Sequence, residues 1–451
     1  MKLSVIGTGY VGLVSGVCLA HVGHEVTCVD IDADKVDRIN RGECPIHEDR
    51  LPELLTEVVG QRFSATTDLV AAVHATDMTL IAVGTPFGED RIDLAQIEAA
   101  ARAVGEALAT KDAYHVVAVK STVVPGTTED VVLPILAESS GKTPGVDFGV
   151  GMNPEFLREG VAVADFLNPD RVVVGGIDDR TRSVMADLYA PFEGTDLVRT
   201  TPSTAEMIKY TANSLLATLI SFSNEIGNMS AAVGVDVVEV MNGVHLDHRF
   251  APLLQADAAA GDRVRPAMLS YLYAGCGFGG SCFPKDVKAL AAHAAAAGVD
   301  VPVLRGALEV NETQPDRLVE LVTERVDAPA RVAVLGVAFK PGTDDLRESP
   351  TLRVVPSLVA AGYDVVVHDP IALDNAREEF GTTVAYERDL DAALHGAAVV
   401  VLVTSWPEYG DLAKRLGDRK PLVADGRRFL NPDDFADYVG IGFPAAAEIA
   451  S

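Results

Sequence analysis

The sequence predicts an α/β protein built from two parallel-sheet halves with a long helix between them. Three observations predict it: residues 1–30 read as strand, glycine turn, helix and strand; a second series of buried-type strands begins at Arg331; and apolar residues recur at helical spacing for about thirty residues from Pro202. A chain of 451 residues is too long for one hydrophobic core. Length suggests about three domains, placed at 1–200, 201–315 and 316–451. There is no run of 18 or more uncharged apolar residues, so no membrane span is expected. The opening Met1–Gly7 is already a strand entering a turn, which leaves no room for a signal peptide and predicts a cytoplasmic protein. With 65 acidic against 37 basic residues the net charge is −28, a surface that repels nucleic acid and anionic lipid. Five cysteines at irregular spacing form neither a disulfide framework nor a zinc pattern, and no metal is expected.

In the first βαβ unit, strand Leu3–Ile6 runs into Gly7-Thr8-Gly9-Tyr10-Val11-Gly12, a helix follows to about His21, and strand Glu25–Val29 ends in Asp30. Gly7 permits the tight turn, Gly9 lets backbone approach a pyrophosphate at the helix N-terminus, and Gly12 lets helix and strand pack closely. A carboxylate at Asp30 accepts the ribose hydroxyls of NAD and repels the 2′-phosphate of NADP, with Lys35 as the one contrary residue. Later strands, Met78–Val83 and Val116–Val119, end in Thr85 and Ser121-Thr122. Ligands of open sheets lie beyond the carboxyl ends of strands, which puts Thr85 and Thr122 on the cofactor side, unless they merely cap turns. After Phe148–Met152 comes Asn153 to Gly160, where Glu155 and Glu159 would share one face of any helix.

The long helix opens with Ser203-Thr204-Ala205-Glu206, a capping-box pattern. Lys209 and Asn213 fall on one of its faces and taken alone read as solvated polar residues. The segment Gly275 to Asp286 places Cys282 just before a helix that Pro284 begins. The positive helix end, with Lys285 close by, favours a thiolate and makes Cys282 a candidate nucleophile; on spacing alone it reads equally as a buried cysteine beside a glycine turn.

The second series (Arg331–Gly336, Asp364–Asp369, Ala398–Val403) echoes the first, but Val337-Ala338-Phe339-Lys340 lacks the repeated glycines, so a different nucleotide fits better there. Phe339 can stack on a base and Lys340 can neutralise phosphate. Arg347, in a polar loop, either reaches an anion or pairs with nearby acids. No site is expected from Lys414 to Ser451.

Together, the glycine turn, Asn153–Gly160, Lys209 with Asn213, Gly277–Asp286 and Phe339–Pro350 resemble the UDP-glucose/GDP-mannose dehydrogenase family in order and spacing, from Met1 to about Arg428. The resemblance implies an α/β fold of two Rossmann-like parallel-sheet domains joined by a long central helix and a helical dimerisation region, hence a homodimer. It implies a four-electron, NAD-dependent oxidation in which the C6 alcohol of a nucleotide sugar becomes a carboxylate. Cys282 would capture the aldehyde, and the thiohemiacetal would pass to a thioester that water hydrolyses. Lys209 and Asn213 would stabilise the oxyanion. Asp286, Thr122 and Glu155 match positions of proton transfer and water positioning, without indicating which is the base. Family matches put Glu155, Phe156, Leu157, Glu159, Phe278, Gly279, Phe339 and Lys340 on the sugar nucleotide, Arg249 on the partner's sugar site, and Thr85, Thr122, Glu159, Lys285 and Arg347 on NAD. An extra segment, Ala251 to about Ser270, departs from the family pattern and carries Arg263 and Arg265; Cys276 is a second departure, read as a packing change. The Gly275–Phe278 spacing resembles the loop of the UDP-glucose enzymes, so UDP-glucose is the expected substrate, ahead of GDP-mannose and UDP-N-acetylhexosamines. A β-hydroxyacid-type dehydrogenase, with one hydride transfer and no thiol, and a non-catalytic sensor are the competing classes.

Overall fold

Short runs rich in valine and isoleucine form strands buried on both faces, the pattern of parallel sheets covered by helices. The computed structural model describes residues 1–88, 90–253 and 263–444, and the chain divides into two units, Met1–Ala212 and Asn213–Ser451. In the first unit the sheet strands are β1 (Lys2–Ile6), β2 (Glu25–Val29), β3 (Phe63–Thr66), β4 (Met78–Ile81), β5 (His115–Val119), β6 (Phe148–Met152), β7 (Arg171–Gly176) and β8 (Asp196–Thr200). Their spatial order is β8-β7-β6-β5-β4-β1-β2-β3. Reading from β3 to β6 gives 3-2-1-4-5-6, the strand order of dinucleotide-binding sheets. Beyond it the sheet departs from pure parallel pairing: β7 runs antiparallel to β6, with Gly151 opposite Gly176, and β8 pairs parallel with β7. Glycines stand at that junction because a Cβ on Gly151 would lie 2.5 Å from the Gly175 carbonyl oxygen.

In the second unit β9 (Arg331–Leu335), β10 (Asp364–His368), β11 (Ala385–Tyr386), β12 (Val399–Leu402), β13 (Leu422–Asp425) and β14 (Tyr438–Gly440) form a sheet ordered β11-β10-β9-β12-β13-β14. All pairs are parallel, and the order is again 3-2-1-4-5-6. The echo between the halves is therefore topological. Gly7 and Gly336 play the same part, both with φ near +90° and both donating to the carbonyl of the last residue of the second strand, Val29 and His368 respectively. Gly7 and Gly336 also each abut a carbonyl, of Ala82 and Thr404, where a side chain would clash. In both halves the acid after the second strand accepts amides of its own turn, Asp30 from Thr8 and Asp32, and in the second half it is enclosed more fully. Asp369 is 2% exposed and accepts from Val337 N, Ala338 N and the Trp406 indole on one oxygen and from Ile371 N and Ala372 N on the other. It braces its own turn.

The four helices that matter for the site are α1 (Tyr10–His21), α2 (Pro202–Ala232), α3 (Phe283–Ala296) and α4 (Pro302–Thr323). α2 is 31 residues long, about 46 Å of helix. Its N-terminus corrects the capping-box expectation. Ser203 lies inside the helix, and the Thr201 hydroxyl accepts the Thr204 amide at 3.3 Å. Glu206 instead reaches another segment, accepting from Gly126 N at 2.6 Å, Thr128 N at 2.9 Å and Thr128 Oγ1 at 2.6 Å. It ties α2 to the loop that follows Thr122.

Burial pushes the Glu206 carboxyl up to about 7, against the pull of its Thr128 and Gly126 donors and with a further push from Glu129. A carboxyl whose folded value lies above its unfolded one adds stability below pH 4.5 that is lost as pH rises to 7. Glu206→Gln is therefore expected to flatten the fall in Tm over that window by the equivalent of about 2–3 kcal/mol, measured as the difference between the two melting-point profiles. Parallel profiles would remove Glu206 as the cause.

Among the described residues no helix is long and apolar enough to cross a membrane, and no group of three or more His, Cys, Asp or Glu is placed to hold a metal ion.

Candidate functional site

In the first unit the glycine turn delivers the backbone of α1. A Cβ on Gly12 would fall 2.0 Å from the Gly7 carbonyl oxygen, while nothing lies within 4 Å of one on Gly9. Gly9 is the N-cap of α1 and no side chain caps that end, so this helix N-terminus fits a pyrophosphate. Asp30 stands at the end of β2, where one oxygen accepts from Thr8 N at 2.9 Å, from the Thr8 hydroxyl and from Lys35 Nζ at 3.3 Å. Although burial works against it, the Thr8 hydroxyl and amide, the Asp32 amide and the Lys35 ammonium hold the Asp30 carboxyl down at about 2. Lys35 thus neutralises Asp30 rather than offering an independent phosphate contact. The chain's residues fit a dinucleotide. Thr85 and Thr122 meet at the strand ends, with the Thr85 hydroxyl donating to the Thr122 carbonyl at 2.9 Å.

Asn153 to Arg158 form no helix, which corrects the shared-face expectation for Glu155 and Glu159; Glu159 falls in the turn at 159–160. Glu155 is 7% exposed and pairs with Lys209 of α2, 3% exposed, at 2.9 Å. Burial pushes the Glu155 carboxyl up, and the Lys209 ammonium, with help from the Leu157 amide, brings it below its ordinary value. The solvated reading of Lys209 is excluded by this burial. Phe156 has two cations near its ring, the Arg171 guanidinium at 3.8 Å and Lys209 Nζ at 5.5 Å. Tyr10 turns its hydroxyl to Glu48, which accepts the amides of Gly160 at 2.6 Å and Ala162 at 2.7 Å. Glu48, absent from the sequence reading, joins the glycine-turn helix to the Glu155 segment. Its partners lie 38, 112 and 114 positions away, beyond any local pattern.

In the second unit Cys282 is the N-cap of α3 and partly buried. Pro284 is the second residue of the helix rather than the first. Asp286, 1% exposed, accepts from Asn213 Nδ2 at 2.6 Å and from Lys285 Nζ at 2.6 Å. The Lys285 ammonium is thus held on Asp286. Asn213 follows Lys209 by one turn of α2.

Glycines let the loop before Cys282 sit against backbone. A Cβ on Gly279 would be 2.2 Å from the Glu348 carbonyl oxygen, and one on Gly280 would be 2.7 Å from the Phe339 ring. Phe339 and the segment to Glu348 therefore cover the glycine loop, and Lys340 Nζ lies 5.6 Å from the Phe339 ring. Arg347 donates its guanidinium to Asp345, with the closest contact 2.7 Å, while its carbonyl accepts the Gly280 amide. Phe278 is buried with Ala217 and Val287.

Beyond Lys414, where no site is expected, one residue nevertheless contacts the cysteine loop. Arg427 donates to the Gly277 carbonyl at 2.7 Å and to Val403 O at 2.7 Å, and so belongs to the support of the cysteine loop. Arg249 is mostly exposed and paired with Asp247. Of the extra segment, 254–262 lies outside the described residues; Arg263 bonds the Ala251 carbonyl at 3.0 Å. Cys276 is fully buried, with Sγ 3.8 Å from Val403 O.

Comparison with known proteins agrees with this assembly of parts. Three family profiles match in succession: the UDP-glucose/GDP-mannose dehydrogenase family NAD binding domain over residues 1–193, its central domain over 203–313 and its UDP binding domain over 333–432. The chain is 43% identical over 445 residues to the UDP-glucose 6-dehydrogenase AglM of Haloferax volcanii, covering 97% of this chain and 99% of that one. It is 39% identical to the GDP-mannose 6-dehydrogenase of Azotobacter vinelandii, covering 94% and 96%. A solved UDP-glucose dehydrogenase from Pyrobaculum islandicum superposes with a TM-score of 0.88 at 40% identity, covering 98% and 97%. Glycine cradle, buried Lys209–Glu155 pair and helix-capping cysteine thus occur within a chain that matches its relatives nearly end to end, and the protein belongs to the UDP-glucose/GDP-mannose dehydrogenase family, an NAD-dependent group of nucleotide-sugar 6-dehydrogenases.

Proposed function

We propose that the chain oxidises the C6 alcohol of UDP-glucose to the carboxylate, as a cytoplasmic homodimer organised as residues 1–200, 201–315 and 316–451. The observation that carries the four-electron reading is Cys282 at the start of α3, one helical turn before the buried Asp286. Bound NAD supplies the hydride acceptor, twice per turnover. Held by Gly7, Gly9, Gly12 and Asp30, it would lie beyond the strand ends with Thr85 and Thr122. Lys285 and Arg347, each paired with a carboxylate, are its further contacts in this reading.

Loss of the C6 hydroxyl proton needs a base, and Glu155 and Asp286 share the proton work in this reading. The Cys282 thiolate adds to the aldehyde carbon, giving a thiohemiacetal whose oxygen Lys209 and Asn213 stabilise. Once this is oxidised to the thioester, water attacks the acyl carbon, the thiolate leaves, and the carboxylate is released. Phe278, Gly279, Phe339 and Lys340 hold the nucleotide, and Phe156 and Leu157 line the sugar.

UDP-glucose is favoured by AglM and by the Pyrobaculum enzyme; the mannose relatives keep GDP-mannose as the alternative. Support for the dimer comes from α2, where Met207, Leu215, Phe222 and Met229 are largely exposed at intervals of seven or eight residues, a stripe that a second helix would cover. The test is a panel of UDP-glucose, GDP-mannose and UDP-N-acetylglucosamine, with NADH absorbance and product mass. Two NADH per UDP-glucose is expected; preference for GDP-mannose would replace the substrate, and one NADH per sugar would remove the covalent scheme. Asp30→Ala is expected to raise KM for NAD about 10–100-fold, the loss of charged hydrogen bonds to the ribose, while leaving KM for the sugar unchanged. An unaltered KM for NAD would remove Asp30 from the cofactor site.

A further inference from the structure

The glycine loop before Cys282 has no secondary structure of its own from 275 to 281, so its backbone groups must find partners elsewhere. Backbone of other segments and the Arg427 guanidinium serve Cys276, Gly277 and Gly280, and side-chain amides serve Gly275 and Phe278. Gly275 donates to Asn224 Oδ1 at 2.7 Å and accepts from Gln314 Nε2 at 2.9 Å. Phe278 is served twice by one residue of α4: its N–H donates to Asn311 Oδ1 at 2.7 Å and its carbonyl accepts from Asn311 Nδ2 at 3.0 Å. An asparagine amide here replaces a neighbouring strand.

Two further features serve this contact. Pro315 lies inside α4, and its missing N–H leaves the Asn311 carbonyl without its helical donor. Gly277 has φ +100°, and a Cβ there would lie 2.9 Å from Asn311 Oδ1 and 3.3 Å from that same carbonyl. Only glycine lets the loop come so close.

We propose that Asn311 is a positioning residue for Cys282, fixing Phe278 so that the thiol four residues later stands at the first turn of α3. The inference rests on the proposed role of Cys282 as the nucleophile. Its test therefore includes a readout that needs no substrate: alkylation of Cys282 by iodoacetamide across pH, mapped by mass spectrometry, in full-length Asn311→Ala and Asn311→Asp enzymes. In Asn311→Ala the midpoint for Cys282 is expected to move up by about half a unit or more, as for a thiolate that loses a helix N-terminus. Turnover with UDP-glucose and NAD is expected to fall about 10–100-fold with KM for NAD unchanged, a loss of positioning at the reacting atom.

Asn311→Asp keeps the acceptor for the Phe278 N–H and is expected to fall between wild type and alanine, which also covers an alanine variant that fails to fold. A lowered Tm with an unmoved alkylation profile and unmoved turnover would make Asn311 merely structural and overturn the proposal. A moved profile in an enzyme that oxidises none of the sugars would support the positioning while the assigned substrate falls.

Discussion

Cys282→Ser is expected to lower steady-state formation of the uronate by at least about 1,000-fold, read as NADH production and product mass with UDP-glucose and NAD. A serine hydroxyl keeps the size of the side chain and its place as N-cap of α3, but at neutral pH it offers no appreciable anion to add to the aldehyde. The effect falls on kcat, with KM for NAD unchanged, because the glycine cradle around Gly7 and Gly12 belongs to another part of the chain. Cys276 provides the internal control. It is fully buried, and that burial pushes its thiol up despite Arg427 nearby, so Cys276→Ala is expected to keep turnover. Uronate formed at the wild-type pace by the Cys282 variant would end the covalent scheme.

Lys209→Ala carries the second large effect, and it has two separable parts. Loss of an oxyanion donor costs about 100–1,000-fold in kcat. Removing one member of a pair in which both side chains are at least nine-tenths buried leaves Glu155 charged without its partner, at about 3–5 kcal/mol. The double variant Lys209→Ala with Glu155→Gln separates them. Neutralising the orphaned carboxylate is expected to restore most of the lost stability, seen in the urea midpoint, without restoring turnover. A double variant as unstable as the single one would mean that the orphaned charge of Glu155 is not the source of the lost stability, and a single variant with normal kcat would remove Lys209 from the reaction.

Features with a local cause were legible in the sequence. The glycine turn with Asp30, the long helix from Pro202 and the cysteine before α3 each follow from spacing within a few dozen residues, where sterics and helix periodicity act directly. The capping-box pattern at Ser203 misled because Glu206 has the right offset for a cap, yet a buried carboxylate gains more from three donors of a distant loop. Glu48 and Asn311 were not legible. Each is an ordinary polar residue locally, and becomes significant only when folding brings it to backbone groups 112 and 33 positions away. The antiparallel step between β6 and β7 was equally hidden, since buried strands of either direction carry the same apolar residues.

Asp369 stands where Asp30 stands, after the second strand of a sheet with the same order, yet its lone pairs are consumed by five internal donors, Trp406 among them. On this repeated scaffold Asp30 accepts from Thr8, Asp32 and Lys35 and keeps a partly exposed edge, while Asp369 is enclosed as a rivet. Grafting a dinucleotide site onto the second sheet would thus begin with the indole of Trp406, and its first casualty would be the turn from Gly336 to Ala338.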